Sequence, residues 1–277
     1  MNNGNQKIGK PPCRKALDIP ALPKPSTPLI AYELSAGDEH SRYSWVLNNA
    51  IAVEYAPFSK SLSAIYSDIL PFINAGIPVR FHTRYPEWEI GNADIHASKQ
   101  ALKVHCDTID KIQGLGEPVL TVHVGLNRNT QLDYSKVKEN LCRLTDYAGK
   151  RGITINLENL RTGITSDPKI MLDLTEASGA SITFDVGHAV SSEKVNSGAF
   201  TVPGIIKMFS SKINGVHIYS KEENGCHRPI EDAFEMAPIL DSLLSLSCYW
   251  WTVELKDCTQ AECTKKILVD YINKSTS

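Results

Sequence analysis

The sequence predicts a single-domain α/β protein, a (β/α)8 TIM barrel, on three observations. A strand-then-helix alternation repeats eight times from Leu29 onward. The helix-to-strand links are short, at 75–78, 114–118, 151–152 and 178–180. Successive apolar strands end on His, Asp or Glu: His82, His123, Glu158, Asp185 with His188 three residues on, His217 and Glu254. Parallel strands joined by helical crossovers close naturally into a ring of eight. An open doubly wound sheet is the competitor. The polar strand ends favour closure, because only a ring gathers all of them at one rim.

Taken in order, the predicted strands are 29–35, 49–56, 78–83, 118–124, 153–159, 181–187, 213–219 and 249–255. Each is β-branched and apolar. The helical stretches between and after them are 39–49, 60–75, 92–113, 133–150, 167–178, 202–211, 231–246 and 259–273, several with apolar residues at spacings of three and four. Asp133 and Asp167 are suited to cap helices, with Pro168 favourable in a first turn. Gly76, Gly114, Gly152 and Gly179 follow helices, where a left-handed residue is often needed. Residues 1–28 are polar and then proline-rich, and are expected to form an irregular N-terminal extension. Residues 29–277 are expected to form the barrel domain.

Bulk properties narrow the class. The chain has 277 residues, 42% hydrophobic and 22% charged, consistent with a large core. No apolar run reaches the ~18 residues of a membrane span, so no membrane partner is expected. The first residues have no apolar segment of the secretory kind. Seven cysteines, scattered without CxxC spacing, read as reduced thiols in a cytoplasmic protein. A formal charge of −2 gives no sequence-wide footprint for nucleic acid.

Side chains alternate along a strand. In 153–159, Ile153, Ile155 and Leu157 share one face; Asn156 and Glu158 share the other and point into the barrel. His217 ends a strand, and His227 returns after a ten-residue excursion that carries Glu222, Glu223 and Arg228. Glu254 lies two residues before Lys256, on the same face. Imidazoles and carboxylates converging on one rim make a divalent-metal site, and mixed ligands of this type suit Zn, Mn, Fe or Co.

The motifs HxxR, HVG, LENL, FDVGH, VH…HRP and VELKD resemble the xylose isomerase-like TIM barrel superfamily over residues 29–257. The superfamily includes sugar isomerases and epimerases and the endonuclease IV family of abasic-site nucleases. For the isomerase and epimerase branch, the resemblance implies a single metal held by Glu158, Asp185, His217 and Glu254. Glu158 and Glu254 would also move the proton, through an enediolate of a small sugar-like, polyhydroxy carbonyl substrate, and His188 would bind a substrate oxygen. His82 and His123 stand as further substrate contacts. The ketose 3-epimerases carry an Arg six residues after the strand-seven His; here that position is Glu223, leaving Arg228 as the candidate substitute.

For the nuclease branch, the resemblance implies a metal-dependent phosphodiesterase acting on abasic-site DNA, and only this alternative brings nucleic acid in as a partner. Eight of nine zinc ligands carry over, adding His82, His123, His188 and His227 to the four above; the ninth position, an Asp in the family, is Gly225. Segment 82–91, with Arg84, Tyr85 and Trp88, has the bulk and charge of a DNA-inserting loop, and could equally close over a sugar. Lys256 is a candidate for a substrate anion or for pairing with a neighbouring carboxylate. Glu33 and Glu54 end strands one and two, within reach of substrate or of a rim salt bridge. His40, His96 and His105 fall on helices as solvated or packing residues. Residues 221–224 read as a solvated loop, and Cys226 as a bystander.

Overall fold

The computed structural model describes residues 27–275. The proline-rich extension expected over 1–28 lies almost wholly outside them. Eight parallel strands close the predicted barrel. They are β1 (Leu29–Ser35), β2 (Val53–Ala56), β3 (Val79–Thr83), β4 (Val119–Val122), β5 (Thr154–Glu158), β6 (Ser181–Asp185), β7 (Ile213–Ile218) and β10 (Trp250–Val253). β10 closes the ring between β7 and β1, with Trp251 opposite Val216 and Leu29 opposite Trp250. The outer layer comprises α1 (His40–Asn49), α2 (Ile65–Asn74), α3 (Ile95–Ile112), α4 (Tyr134–Gly149), α5 (Pro168–Ser178), α8 (Val202–Phe209), α9 (Ala237–Leu244) and α10 (Cys258–Ser275). No helix among the described residues is long and apolar enough to cross a membrane.

Local sequence sets the helix ends. Asp133 accepts from the amides of Ser135 and Lys136, and Asp167 from those of Lys169 and Ile170, with Pro168 in the first turn. Each satisfies donors that the first turn leaves open. Gly179 ends α5 with φ of 76°, a left-handed value that costs other residues energy.

Alternation along the strands sorts the core into two layers. Phe81, Leu120, Ile155, Leu157, Phe184 and Val216 pack outward, fully buried in the large cluster shared with the helices. Burying each such side chain stabilises the fold by about 1.5–3 kcal/mol. The inward positions are Arg80 and His82, Thr121 and His123, Asn156 and Glu158, Thr183 and Asp185, and Thr252 and Glu254. The polarity expected toward the upper rim also continues downward: Thr121 bonds to Thr183 at 2.8 Å, Asn156 donates to Thr183 at 3.1 Å, and Asn214 donates to Asn156 at 3.2 Å. At the lower end Arg80 donates to the Asn214 carbonyl at 2.8 Å and lies 4.5 Å from the Trp250 ring centroid. Thr121, Asn156 and Thr183 are thus each buried with a partner, which keeps their desolvation from becoming a net loss.

Three local expectations change. The second strand starts at Val53, not Asn49, because Ala50 caps α1. The segment after β6, with no helix predicted before residue 202, forms two short helices, α6 (Val186–Ser191) and α7 (Glu193–Asn196), the first starting inside the predicted strand 181–187. The stretch 221–224, read as a solvated loop, opens an antiparallel hairpin of β8 (Lys221–Glu223) and β9 (Cys226–Arg228). Its turn is Asn224–Gly225, with φ of 52° and 74°. An Asn-Gly pair in this conformation is the favoured two-residue hairpin connection.

Candidate metal centre

Glu158, Asp185, His217 and Glu254 each present one ligand atom within 4.8 Å of the others, and all four are buried. Strand register explains the meeting. Asp185 is opposite His217, and Thr252 is opposite His217 on the other side. Glu254, two residues beyond Thr252, therefore points the same way and stands higher at the rim. His217 Nδ1 lies 3.1 Å from Glu158 Oε2 and 3.3 Å from Glu254 Oε2. None of these three atoms has the alignment of a hydrogen bond. Three buried carboxylates with acceptor atoms turned toward one another cost several kcal/mol per uncompensated charge. A divalent cation among them removes that cost, and the donor set suits one. The residues fit such an ion.

A second set shares Glu158. His82 Nε2 is 3.2 Å from Glu158 Oε2, and His123 Nε2 is 3.0 Å from Glu158 Oε1. These three residues form another potential ligand group, and Glu54, His82 and His217 a third. His123 Nδ1 donates to the Thr83 carbonyl at 3.1 Å, His188 Nδ1 to the Asn159 carbonyl at 3.0 Å, and His227 Nδ1 to the Glu254 carbonyl at 2.8 Å. A carbonyl only accepts, so in each ring Nδ1 carries hydrogen and Nε2 is left for the site.

Electrostatics follow from this crowding. Burial opposes the charged forms of Glu158 and Glu254, but neighbouring histidines outweigh it and hold both carboxyls well below the usual range. Burial dominates at Asp185 and raises it to about 6. Burial works against a charged His188, yet Asp185, Glu222 and Glu158 overcome it and push that imidazole up to about 10. Burial lowers His82.

Residues 72–268 match the family described as xylose isomerase-like TIM barrel. The chain belongs to that family. A relative of known sequence is the uncharacterized protein MJ0008 of Methanocaldococcus jannaschii, 28% identical over 174 residues, covering 63% of this chain and 74% of the relative. Among solved structures, the 3-keto-D-glucoside 4-epimerase YcjR of E. coli superposes with a TM-score of 0.68 at 14% identity, covering 90% of this chain and all (100%) of that one. A D-tagatose 3-epimerase-like protein gives 0.71 at 17% identity, covering 90% and 99%. Endonuclease IV of Thermus thermophilus gives 0.64 at 13% identity, covering 89% and 100%. These likenesses establish the shared fold.

Within this xylose isomerase-like barrel, several expected site residues stand apart from the cluster. Lys256 donates to Glu33 at 3.0 Å, Ser35 at 3.1 Å and Asp38 at 3.1 Å, which uses all three of its protons. Of its two readings, the geometry corresponds to pairing with carboxylates. Arg228 pairs with Glu223 at 3.1 Å on the exposed hairpin. Both nevertheless line a cavity of about 430 Å³, together with Glu33, Arg84, His227 and Glu254. His188 sits on α6, where Asp185 caps the helix and accepts from the His188 amide at 2.6 Å.

Segment 82–91 does not project as an inserting loop. Tyr85 is buried with its hydroxyl 3.4 Å from Thr108, and Trp88 packs against the core. Arg84 turns inward, donating to Glu33 and, at 3.2 Å, to Glu254. Glu54 is not at the rim. It lies below His217, held by Thr121 at 3.1 Å and by Thr252. His40 and His96 are exposed, whereas His105 is buried and lowered to about 4 by desolvation.

Two contributors escaped sequence reasoning. Glu89 is buried and accepts from the amides of Gly125 and Asn127, fixing the loop that follows His123. Glu222 turns inward, 3.4 Å from His188 Nε2 and 3.4 Å from Arg161. The Asn224–Gly225 pair was the available signal for the hairpin that carries Glu222.

Proposed function

We propose that this chain is a divalent-metal-dependent isomerase or epimerase of a small polyhydroxy carbonyl substrate, working through an enediolate. The observation that carries this reading is the convergence of Glu158, Asp185, His217 and Glu254 within 4.8 Å, all buried, with orphaned polar atoms on Glu158, His217 and Glu254. Glu158, Asp185, His217 and Glu254 would hold the ion. When bound, it supplies Lewis-acid stabilisation of the negative charge that develops as a C–H beside a carbonyl is deprotonated.

Glu158 and Glu254 are the proton carriers in this proposal. Around the ring β6 and β7 separate their strands, so the two carboxylates approach a ligand from different sides. Each directs Oε2 toward His217, while Oε1 is engaged elsewhere, by His123 for Glu158 and by Arg84 for Glu254. That division orients each carboxylate while leaving it ionised and able to accept a proton. His188 and His227, their Nδ1 protons committed to backbone carbonyls, orient substrate oxygens through Nε2. The sugar epimerases among the structural likenesses support the same reading.

The test is solvent-deuterium incorporation into a panel of ketoses by the protein supplied in turn with Zn, Mn, Fe or Co. Exchange at carbon with one ion per chain is the expected result. A second reading, phosphodiester cleavage at abasic DNA, is favoured by the additional His82–His123–Glu158 group. Gly225 counts against it, because the ligand-bearing side chain of that branch is replaced by the glycine of the hairpin turn. Nicking of abasic DNA with two or three ions per chain, and no sugar exchange, would select it.

A further inference from the structure

The hairpin β8–β9 is pinned to the site at several points. The Glu222 amide donates to Ser191 Oγ on α6 at 2.8 Å. Tyr219, at the root of the hairpin, donates to Asp185 at 3.2 Å and stacks on His227 at 3.8 Å, with the rings inclined by only 6°. A Cβ on Gly187 would sit 1.9 Å from the Tyr219 ring, so α6 and that ring are in their closest possible approach. Glu222 is therefore part of a fixed wall. Its carboxylate, with a side chain only 12% exposed, faces His188 Nε2, the nitrogen offered above to a substrate oxygen.

Around His188, carboxylates outnumber the permanent cations. Glu158, Asp185 and Glu222 each come within 3.7 Å of a ring nitrogen, and Arg161 pairs with Glu222. Arg84, Lys256 and Arg228, the last paired with Glu223, line the cavity beyond. Each cation is also already engaged: Arg84 by Glu33 and Glu254, Arg161 by Glu222, and Lys256 by Glu33 and Asp38. An entering phosphate would meet Glu222 at short range and find these cations occupied. A hydroxyl group, by contrast, can donate to that carboxylate.

We infer that Glu222 is a specificity-determining residue that admits uncharged polyhydroxylated ligands and turns away phosphorylated ones. The inference rests on the proposed sugar-active reading for the identity of the admitted ligand, but the exclusion of phosphate is measurable on its own. Glu222→Gln keeps the shape, removes the charge and releases Arg161 to an anion.

The experiment titrates inorganic phosphate, and in parallel D-fructose 6-phosphate and D-fructose, into the metal-loaded full-length chain and its Glu222→Gln variant by calorimetry at pH 7.5. Circular dichroism confirms that both are folded. Phosphate and the sugar phosphate should bind the variant at least tenfold more tightly than the native chain, with fructose changed much less. Equal phosphate affinity in the two proteins, including no binding to either, overturns the inference. So does a native chain that prefers the sugar phosphate to the sugar. A gain in phosphate binding without deuterium exchange into any ketose would leave the role of Glu222 standing and remove the isomerase reading.

Discussion

Glu54 lies directly beneath His217, with a carboxylate oxygen 3.2 Å from Nε2, while Nδ1 of the same ring faces Glu158 and Glu254. A carboxylate behind a ligating imidazole orients the ring and raises its basicity. Glu54→Gln should weaken metal binding by about 10–100-fold. Competition titration against a chromophoric chelator measures it, and unchanged affinity would remove Glu54 from the metal centre.

Glu158 belongs both to the four-residue ligand group and to the group it forms with His82 and His123. Glu158→Gln keeps its volume and removes both the ionic ligand and the proton carrier. Deuterium exchange into the accepted ketose should fall by at least about 10²-fold, the lower range for a lost acid–base group. A variant with native exchange rates would exclude the proposed chemistry.

Chelation should lower thermal stability. An ion at 100 times its dissociation constant stabilises the folded state by about 2.7 kcal/mol. For a chain of this size that corresponds to a fall of roughly 5 °C in Tm on adding a chelator. Differential scanning calorimetry with and without each metal checks this. An indifferent Tm would mean that the buried carboxylates are compensated by protons alone.

The metal-free protein should also lose stability in acid through Glu54. Burial would raise its pKa, but His217 outweighs burial and lowers it from 4.5 to about 2. A depressed carboxyl contributes stability that is complete above its unfolded value and disappears as pH falls through the folded one. The loss therefore belongs between about pH 5 and pH 2, and is on the order of 3 kcal/mol. Urea unfolding across that range should show the slope, and Glu54→Gln should reduce it, leaving the part that Glu158 and Glu254 contribute.

Gly187→Ala should destabilise the fold by about 1–3 kcal/mol, the usual range for overpacking. The added Cβ meets the Tyr219 ring at 1.9 Å, and stacking on His227 prevents that ring from retreating. Denaturant unfolding provides the measurement; a neutral effect would show that Tyr219 and the hairpin can shift.

Much of the site could be read in the chain because strand periodicity is local. A residue two positions from an inward residue is also inward, so Asn156 predicts Glu158 and Thr252 predicts Glu254. Closure then follows from eight strand–helix repeats and their short links. The hairpin is announced by Asn224–Gly225, but the charges around that pair give the same stretch the composition of a solvated loop. Lys256 shows the opposite difficulty. Its position on the Glu254 face was legible, but its three partners come from β1 and the loop beyond, more than 200 positions away in the sequence.

The chain by itself determined the alternation, the barrel it builds, the helix caps and the set of acids and imidazoles at the strand ends, because each depends on spacing within a few residues. Tertiary structure alone decided which of those groups face one another: that Glu54 underlies His217, that Arg84 turns inward to Glu254, and that Glu222 covers His188. Such contacts join segments distant in sequence. Their distances depend on strand stagger and side-chain packing around the closed ring, which no local pattern encodes.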